Sequence, residues 1–289
     1  MEYNSKLSVH ETLKAVQIIK AKFKEELCTK LNLNHVSSPL FVETDSGIND
    51  DLNGSERPVT FDTKSGMKMT VVQSLAKWKR MALKKYEFGM YCGLCVDMNA
   101  IRRDEDLGPM HSNYVDQCDW EKVIKEDRNM TSLESIVKDI YHSQQLVNEY
   151  PHLTPKECES EYTRKHGAVF VCQVGKTLKS GEKHDGRAPD YDDWDLNGDI
   201  LVHHDALDVA FELSSMGIRV TKESLLNQLT ERNALNRLNL PFHKALMSGE
   251  LPFTVGGGIG QYRLCMYLLD KIHIGEVQCS VWNEDILAD

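Results

Sequence analysis

Apolar residues recur at helical spacing near the start of the chain. They occupy positions 9, 13, 16, 19, 23 and 27, while lysines are frequent at the positions between them. Such spacing places an apolar stripe along one side of a long amphipathic helix. The pattern therefore predicts a helix over Val9–Leu31 with a solvated, lysine-rich opposite face.

After this helix the pattern changes to short runs with β character. Runs of this kind predict strands at 67–72, 94–101, 114–124, 168–174, 200–202 and 209–213, of which the last two form a hairpin. Helical spacing returns at 75–83 and 262–269, and the stretch 44–54 is a loop rich in Asp, Asn, Ser and Gly. Together these elements predict an α+β fold in which helices flank a mainly antiparallel sheet, as one domain over 1–289.

Composition narrows the function classes. The chain has 289 residues, 41% of them hydrophobic, and its 34 Lys and Arg against 44 Asp and Glu give a net charge of −10. Such a charge disfavours nucleic-acid binding, which depends on neutralising phosphates. Neither a signal-peptide pattern nor an apolar run of membrane-spanning length is visible, so we expect a cytoplasmic protein that does not insert into membranes. The eight cysteines are then reduced and mostly buried, and the single Cys92-Gly93-Leu94-Cys95 is a weak zinc candidate.

A glycine-rich stretch is the first candidate site. It reads Gly256-Gly257-Gly258-Ile259-Gly260, and Arg263 follows on a predicted helix. Glycine has no Cβ, so a ligand can lie close to such a backbone, and an arginine beside it suits phosphate. A tight strand-to-helix turn explains the stretch equally well. A Rossmann turn is disfavoured because the stretch comes late in the chain.

Two upstream segments add weight to the nucleotide interpretation. One is Gln73-Ser74 with Lys79 behind it, and the other is Arg102-Arg103-Asp104-Glu105-Asp106-Leu107. With the glycine-rich stretch they resemble the catalytic core of class II aminoacyl-tRNA synthetases, whose aspartate-specific branch has the three segments in this order. The first helix and a following strand that ends at Pro39 are similar to the dimer motif of that class.

Longer segments make the resemblance more specific. They look like segments of the aspartate–ammonia ligases, the ammonia-dependent asparagine synthetases, and lie at 45–54, 74–80, 187–194, 196–201 and 211–220. The resemblance covers essentially the whole chain. It implies one class II synthetase-like catalytic domain over 1–289 that works as a homodimer on small molecules: L-aspartate, ATP and ammonia.

The reaction that the resemblance implies has two steps. The β-carboxylate of aspartate attacks the α-phosphorus of ATP and releases pyrophosphate, and ammonia then converts the β-aspartyl-adenylate into asparagine and AMP. The implied cofactors are ATP and Mg²⁺. The implied nucleotide-binding residues are Arg102 on the α-phosphate, Arg263 on the adenine or outer phosphates, Gly258 against the adenine, and Glu105, Ser112 and Asp192 around the nucleotide.

The same resemblance implies the remaining roles. Asp199 and Glu212, on the two strands of the predicted hairpin, would bind Mg²⁺, which prefers carboxylate oxygens. Asp50, in the acidic loop, would act on ammonia as a lid residue. The implied substrate-pocket residues are Lys79, which pairs with a carboxylate, together with Ser74, Gln117, Asp119 and Ser215; Lys77 would face elsewhere.

Three alternatives stay open at this point. General class II spacing points to Arg103 as the phosphate clamp, whereas the spacing of the aspartate–ammonia ligases points to Arg102. The family carries more residues between Tyr141 and His142 and between Trp194 and Asp195, so either the chain is genuinely shorter there or the sequence lacks residues. A catalytically silent binding protein and a tRNA-charging enzyme are the competing functions.

Overall fold

A computed structural model describes residues 3–50, 52, 56–125, 133, 140–142, 154–176 and 186–282. Its helices, in chain order, are α1 Val9–Leu31, α2 Ala76–Lys85, α3 Pro155–His166, α4 Lys222–Glu231, α5 Pro241–Met247 and α6 Gln261–Leu268. Its strands are β1 Leu33–His35, β2 Phe41–Glu43, β3 Thr60–Asp62, β4 Lys68–Val71, β5 Gly93–Ile101, β6 Tyr114–Val123, β7 Ile140–His142, β8 Ala168–Cys172, β9 Asp192–His204, β10 Val209–Arg219 and β11 Thr254–Gly260.

The strands of this part of the chain form two sheets. The large one has the order β1-β5-β6-β11-β10-β9-β8-β7, and the small one has the order β2-β4-β3. Only the edge pairs β1–β5 and β7–β8 are parallel, and the other neighbours are antiparallel. The predicted α+β fold with a mainly antiparallel sheet is confirmed. None of the described helices is both long and apolar enough to cross a bilayer.

The first helix has the predicted bounds, and its ends explain them. Ser8 caps the N-terminus in a capping box with Glu11, so that both residues satisfy backbone N–H groups. At the other end Asn32 adopts a left-handed conformation with φ 58°, which ends the helix. Phe23 and Leu27 on its apolar stripe pack against the core of the large sheet.

Two predictions about strands were wrong. The strand expected to end at Pro39 ends at His35, and 36–40 are not part of a strand. The hairpin strands β9 and β10 are far longer than the apolar runs at 200–202 and 209–213. Polar residues occupy one face of these strands, so the apolar pattern marks only part of each. Strand β9 also runs without interruption through the junction of Trp194 and Asp195.

The large sheet has one apolar and one polar face. In β6, Cys118 and Trp120 belong to the hydrophobic core beneath the sheet. The residues that alternate with them, Gln117 and Asp119, line a cavity on the opposite face. Successive side chains of a strand point to opposite faces. One face of the sheet therefore packs in the hydrophobic core, and the other face lines the cavity.

Candidate active site

Directly paired residues form a polar row across the middle of the large sheet. Asp119 of β6 is paired with Gly258 of β11, which is paired with Ser215 of β10, and Ser215 is paired with Asp199 of β9. Directly opposite residues in antiparallel strands have their Cβ atoms about 4.5–5.5 Å apart. The register therefore brings together side chains from four strands that are distant in sequence.

The glycine-rich stretch is part of strand β11, and the helix begins directly after it at Gln261. A Cβ on Gly258 would lie 2.6 Å from Asp119 Oδ1 and 2.7 Å from Gln117 Oε1. A Cβ on Gly256 would overlap Glu121 Oε2. Gly256 and Gly258 are therefore required because polar side chains of β6 lie across them, rather than for a turn.

The central cavity, which we define by Lys79, Asp119 and Ser215 in its wall, has a volume of about 180 Å³. Lys79 is 1% exposed and its Nζ donates to Asp119 Oδ2 at 2.8 Å and to the Gly257 carbonyl oxygen at 3.0 Å. Asp119 Oδ1 accepts no hydrogen bond within the described residues. The sequence-predicted residues in this wall are Ser74, Lys79, Arg102, Gln117, Asp119, Asp192, Glu212, Ser215, Gly258 and Arg263.

Arg187, which sequence reasoning did not assign to the site, joins the hairpin residues. Its Nη2 donates to both carboxylate oxygens of Asp199, at 2.6 and 2.8 Å. Its Nη1 donates to the Ser215 hydroxyl and lies 3.7 Å from Asp192 Oδ2. One guanidinium thus fixes three residues that the sequence assigned to separate roles. Arg187 begins the segment 187–194, one of the segments that resemble the family. Its position in that polar segment is the signal by which the sequence could have assigned it to the site.

Arg219 forms a second arginine cluster deeper in the sheet. It donates to Glu121 at 2.7–3.0 Å and also to Asp192, and all three side chains are buried. Burial alone would raise the pKa of Glu121, but the Arg219 charge and hydrogen bonds lower it below its usual value. Glu121 therefore stays ionised and holds Arg219 in the wall of the central cavity.

A second space, the Ser112 cavity, adjoins the central cavity and has a volume of about 180 Å³. The two share Arg102, Gln117, Glu212, Gly260 and Arg263 in their walls. The Nε atoms of Arg102 and Arg263 are buried and donate to no group in the described part of the chain. By contrast Arg103 is exposed and outside both walls, which favours Arg102 in the open choice between the two arginines.

The charges around the Ser112 cavity alter two titratable side chains. Burial raises the pKa of Glu105, although the positive charges of Arg102 and Arg263 oppose the effect. The pKa of His111 is lowered to about 4, mainly by burial and in addition by the positive charges of Arg263 and Lys156. His111 is therefore neutral at pH 7. It is a wall residue that the sequence did not reveal, because a single His has no pattern.

A third space, the Asp199 cavity, is the largest of the three, with a volume of about 410 Å³. Asp199 and Glu212 both line it, as predicted for residues on neighbouring strands. Arg263 lies in its wall and also in the walls of the other two cavities. Glu212 Oε2 lies 3.9 Å from Arg263 Nη1, and its side chain is 43% exposed. Arg263 in turn lies over the Phe211 ring, 4.7 Å from its centroid.

Asp50 is the one predicted site residue outside the walls of these three cavities. It is 1% exposed, and the loop places Leu52 in the central cavity wall. Burial raises the pKa of Tyr191 well above its usual value, and the carboxylates of Asp50 and Asp192 raise it further. The Asp50 carboxylate therefore lies near Tyr191, which lines the central cavity. Positions 51 and 53–55 of this loop lie outside the described residues.

Comparison with known proteins identifies the family. The family model described as aspartate-ammonia ligase matches residues 10–143 and 140–289. The chain belongs to the aspartate–ammonia ligase family. An aspartate–ammonia ligase of Fusobacterium nucleatum is 50% identical over 315 aligned residues, which cover 99% of this chain and 96% of the relative. One from Pediococcus pentosaceus is 49% identical, covering 99% of this chain and 94% of the relative.

Membership of the family establishes the overall activity. The enzyme is a ligase of asparagine biosynthesis that uses ATP to make asparagine from aspartate and ammonia. Both alignments are longer than this chain, and the family model matches it in two stretches that meet at 140–143. The relatives therefore carry internal residues that are absent from this sequence, as both open explanations of the junction near Tyr141 expect.

Solved structures give the same fold. An asparaginyl-tRNA synthetase of Entamoeba histolytica matches with a TM-score of 0.67 at 13% identity, covering 94% of this chain and 69% of that one. The asparaginyl-tRNA synthetase of Pyrococcus horikoshii complexed with asparaginyl-adenylate also has a TM-score of 0.67, at 12% identity, covering 93% and 68%. At these identities the match establishes the class II synthetase fold of the ligase and nothing more.

Proposed function

We propose that this ligase makes asparagine through a β-aspartyl-adenylate and releases AMP and pyrophosphate. A carboxylate is a poor acyl donor because its leaving group is oxide. Transfer of AMP to the β-carboxylate solves the problem: an oxygen of aspartate attacks the α-phosphorus, and pyrophosphate leaves. Ammonia then attacks the activated carbonyl carbon, and the C–O bond breaks to release AMP. The work of the protein is positioning and stabilisation of charge.

The charge of the central cavity is the observation that carries this proposal. Five cations and three carboxylates line it, in a protein whose net charge is −10. A positive cavity in an acidic protein suits anionic substrates, because opposed charges in a partly desolvated site interact strongly. Both aspartate and the triphosphate are anions. The cations are Lys79, Arg102, Arg187, Arg219 and Arg263.

The Lys79–Asp119 pair supports binding of an amino acid at the central cavity. A lysine ammonium has three donors, and two of those of Lys79 are used by Asp119 and the Gly257 carbonyl. The third is available to a carboxylate of aspartate. Asp119 Oδ1 has no donor among the described residues, so it can accept from the substrate α-ammonium. Ser74, Gln117 and Ser215 supply further hydrogen bonds around the same molecule.

Arg102 and Arg263 support binding of the nucleotide between the central and Ser112 cavities. Their buried Nε–H groups have no acceptor in the described part of the chain, and phosphate oxygens would satisfy them. We assign Arg102 to the α-phosphate, where charge develops in the first step. Arg263 lies on Phe211 with one face, which leaves its other face for the adenine or its edge for the outer phosphates. Glu105, Ser112, Asp192 and Gly258 are assigned around the nucleotide.

Asp199 and Glu212 fit a Mg²⁺ ion that is shared with phosphate. Both line one cavity and supply hard oxygen ligands, and Mg²⁺ usually takes one or two carboxylates plus phosphate and water. Among the described residues no third His, Cys, Asp or Glu completes a metal site with them, so phosphate and water would provide the rest. Mg²⁺ would neutralise phosphate charge there. It would also share Asp199 with Arg187, which donates to both of its oxygens.

Asp50 is assigned to the second substrate. Ammonia is mostly ammonium at neutral pH, so a buried carboxylate beside the central cavity can attract the cation and accept a proton.

The enzyme is further proposed to act as a cytoplasmic homodimer without nucleic acid. The exposed apolar side chains Val9, Leu13 and Ile18 of α1 support a dimer, the free cysteines suit a reducing compartment, and the net charge of −10 opposes nucleic-acid binding.

The test is a product analysis with ATP, aspartate and ammonium. AMP and pyrophosphate should form in equal amounts with asparagine, and pyrophosphate should exchange into ATP when aspartate is present without ammonia. Arg102→Ala should abolish both reactions, whereas Arg103→Ala, at the exposed neighbour, should keep them. Formation of ADP and inorganic phosphate would refute adenylation.

A further inference from the structure

Part of the wall of the Ser112 cavity comes from the chain segment that follows α6. Ile274 and Gln278 of this segment line the cavity. Two hydrogen bonds attach the segment to the loop before β6: the Ile274 backbone N–H donates to the Pro109 carbonyl oxygen at 2.7 Å, and the Ser112 hydroxyl donates to the Ser280 hydroxyl at 2.8 Å. The segment therefore has a fixed position at the cavity, although none of the residues assigned to the nucleotide comes from it.

The orientation of the Gln278 amide is fixed as well. Its Nε2 donates to the Tyr114 carbonyl oxygen at 2.9 Å, and a flipped amide would set Oε1 against that oxygen, acceptor against acceptor. Gln278 is 5% exposed, and its Oε1 accepts no hydrogen bond within the described residues. A buried acceptor without a donor is unfavourable, so a donor from a ligand would stabilise this side chain.

The carboxylates in the same wall already have partners. Both oxygens of Asp116 accept hydrogen bonds, one from Gln261 Nε2 at 2.6 Å and the other from a lysine of α1. Glu105 and Glu212 both interact with the positive charge of Arg263. These three acidic side chains are therefore engaged with groups of the protein, unlike the amide oxygen of the glutamine.

Three buried side-chain atoms of this wall have no partner in the described part of the chain. They are the Nε atoms of Arg102 and Arg263 and the Oε1 atom of Gln278. The two donors suit phosphate oxygens, whereas the one acceptor needs an N–H or O–H group. An adenine nucleotide supplies both kinds of group, because it carries phosphates and a 6-amino group on its base.

We propose that Gln278 selects adenine, its Oε1 accepting a hydrogen bond from the 6-amino group of the base. This rests on the proposed function in one respect, the binding of the nucleotide at the Ser112 cavity. A base with a 6-oxo group would set a second acceptor against Oε1, and neither oxygen would have a donor. A site built to hydrogen-bond an N–H group rejects an analogue without it. Gln278 therefore disfavours GTP and ITP.

The test measures equilibrium binding of three nucleotides to the complete enzyme in the presence of Mg²⁺. They are ATP, ITP with its 6-oxo group, and purine riboside triphosphate, which has no substituent at position 6. The wild type should bind purine riboside triphosphate about tenfold more weakly than ATP, and ITP more weakly still. Gln278→Met keeps a side chain of similar length without the acceptor, so it should bind ATP and purine riboside triphosphate equally.

Two control variants distinguish base selection from other effects on affinity. Ile274→Val trims an apolar residue of the same wall, and Arg102→Ala removes a cation assigned to phosphate. Each should change the affinity for all three nucleotides by the same factor, as Gln278→Met would if Gln278 served only the structure of the wall.

Two results would overturn the proposal. One is equal binding of ATP and ITP by the wild type, a comparison that holds even where Gln278→Met does not fold. The other is an unchanged preference of Gln278→Met for ATP over purine riboside triphosphate. Binding does not depend on the products of the reaction, so formation of ADP would refute the adenylate and leave the selection of adenine by Gln278 in place.

Discussion

Lys79 Nζ lies 2.8 Å from Asp119 Oδ2, and both side chains are almost completely buried. The two residues come from α2 and β6, so the pair ties a helix to the polar face of the sheet while its remaining hydrogen-bonding capacity faces the central cavity. The contact between Lys79 and Asp119 therefore contributes both to stability and to binding at the cavity, and substitutions can distinguish these two contributions.

Lys79→Met is expected to lower both stability and activity. It leaves Asp119 as a buried carboxylate without its cation, which typically costs about 3–5 kcal/mol. The double variant Lys79→Met/Asp119→Asn removes the stranded charge and should recover much of the stability, but not asparagine synthesis. Urea denaturation measures the first effect. A single variant whose unfolding free energy stays within about 1 kcal/mol of the wild type would show that the pair carries little stability.

Asp50→Ala is expected to separate the two half-reactions. If Asp50 acts on ammonia, aspartate-dependent pyrophosphate exchange into ATP persists, while asparagine formation falls on the order of 10²–10⁴-fold. Arg102→Ala should damage both reactions, because the α-phosphate must be held throughout. Equal losses of exchange and synthesis in Asp50→Ala would mean that the loop acts on aspartate or ATP instead.

The pKa of His111 predicts a pH-dependent loss of stability. The folded enzyme holds this pKa at about 4, whereas an unfolded His titrates near 6.5. Between these values the unfolded chain binds more protons, so stability falls as the pH drops from about 6.5 to 4. His111→Gln removes the titration, and the difference in unfolding free energy between wild type and variant should change across this window. A constant difference would contradict the burial of a neutral His111.

The bounds of an element could be predicted only where its residues face the hydrophobic core. The apolar periodicity of α1 predicted both of its ends, because capping residues coincide with the ends of the stripe. Strands β9 and β10 were underestimated because residues such as Asn197 and Ser215 interrupt the apolar pattern. A residue that faces a site instead of the core gives no hydrophobic signal, however regular its strand.

The site was predictable where a motif fixed the spacing and less so elsewhere. Ser74, Lys79 and Arg102 belong to segments with family spacing, and the structure places them in one cavity wall. The contact of Arg187 with Asp199 depends on how a loop folds back over β9, which no local pattern encodes.

Substitutions in α1 test the proposed homodimer. Val9, Leu13 and Ile18 are 75%, 53% and 63% exposed, and burying such side chains between protomers is worth about 25 cal/mol per Å² of apolar surface. Leu13→Asp/Ile18→Asp should therefore shift sedimentation from dimer to monomer, while Leu226→Asp, at an exposed leucine of α4, should not. A wild type that sediments as a monomer at micromolar concentration would remove the dimer from the proposal.

The most direct test of adenylation follows the β-carboxylate oxygen of aspartate. The enzyme is given ATP, ammonium and aspartate labelled with ¹⁸O in its β-carboxylate, and the nucleotide product is examined by mass spectrometry. Attack of that carboxylate on the α-phosphorus, followed by loss of AMP to ammonia, should leave one ¹⁸O atom in each AMP formed. Label in inorganic phosphate, together with ADP, would contradict the adenylate and assign the attack to the γ-phosphorus.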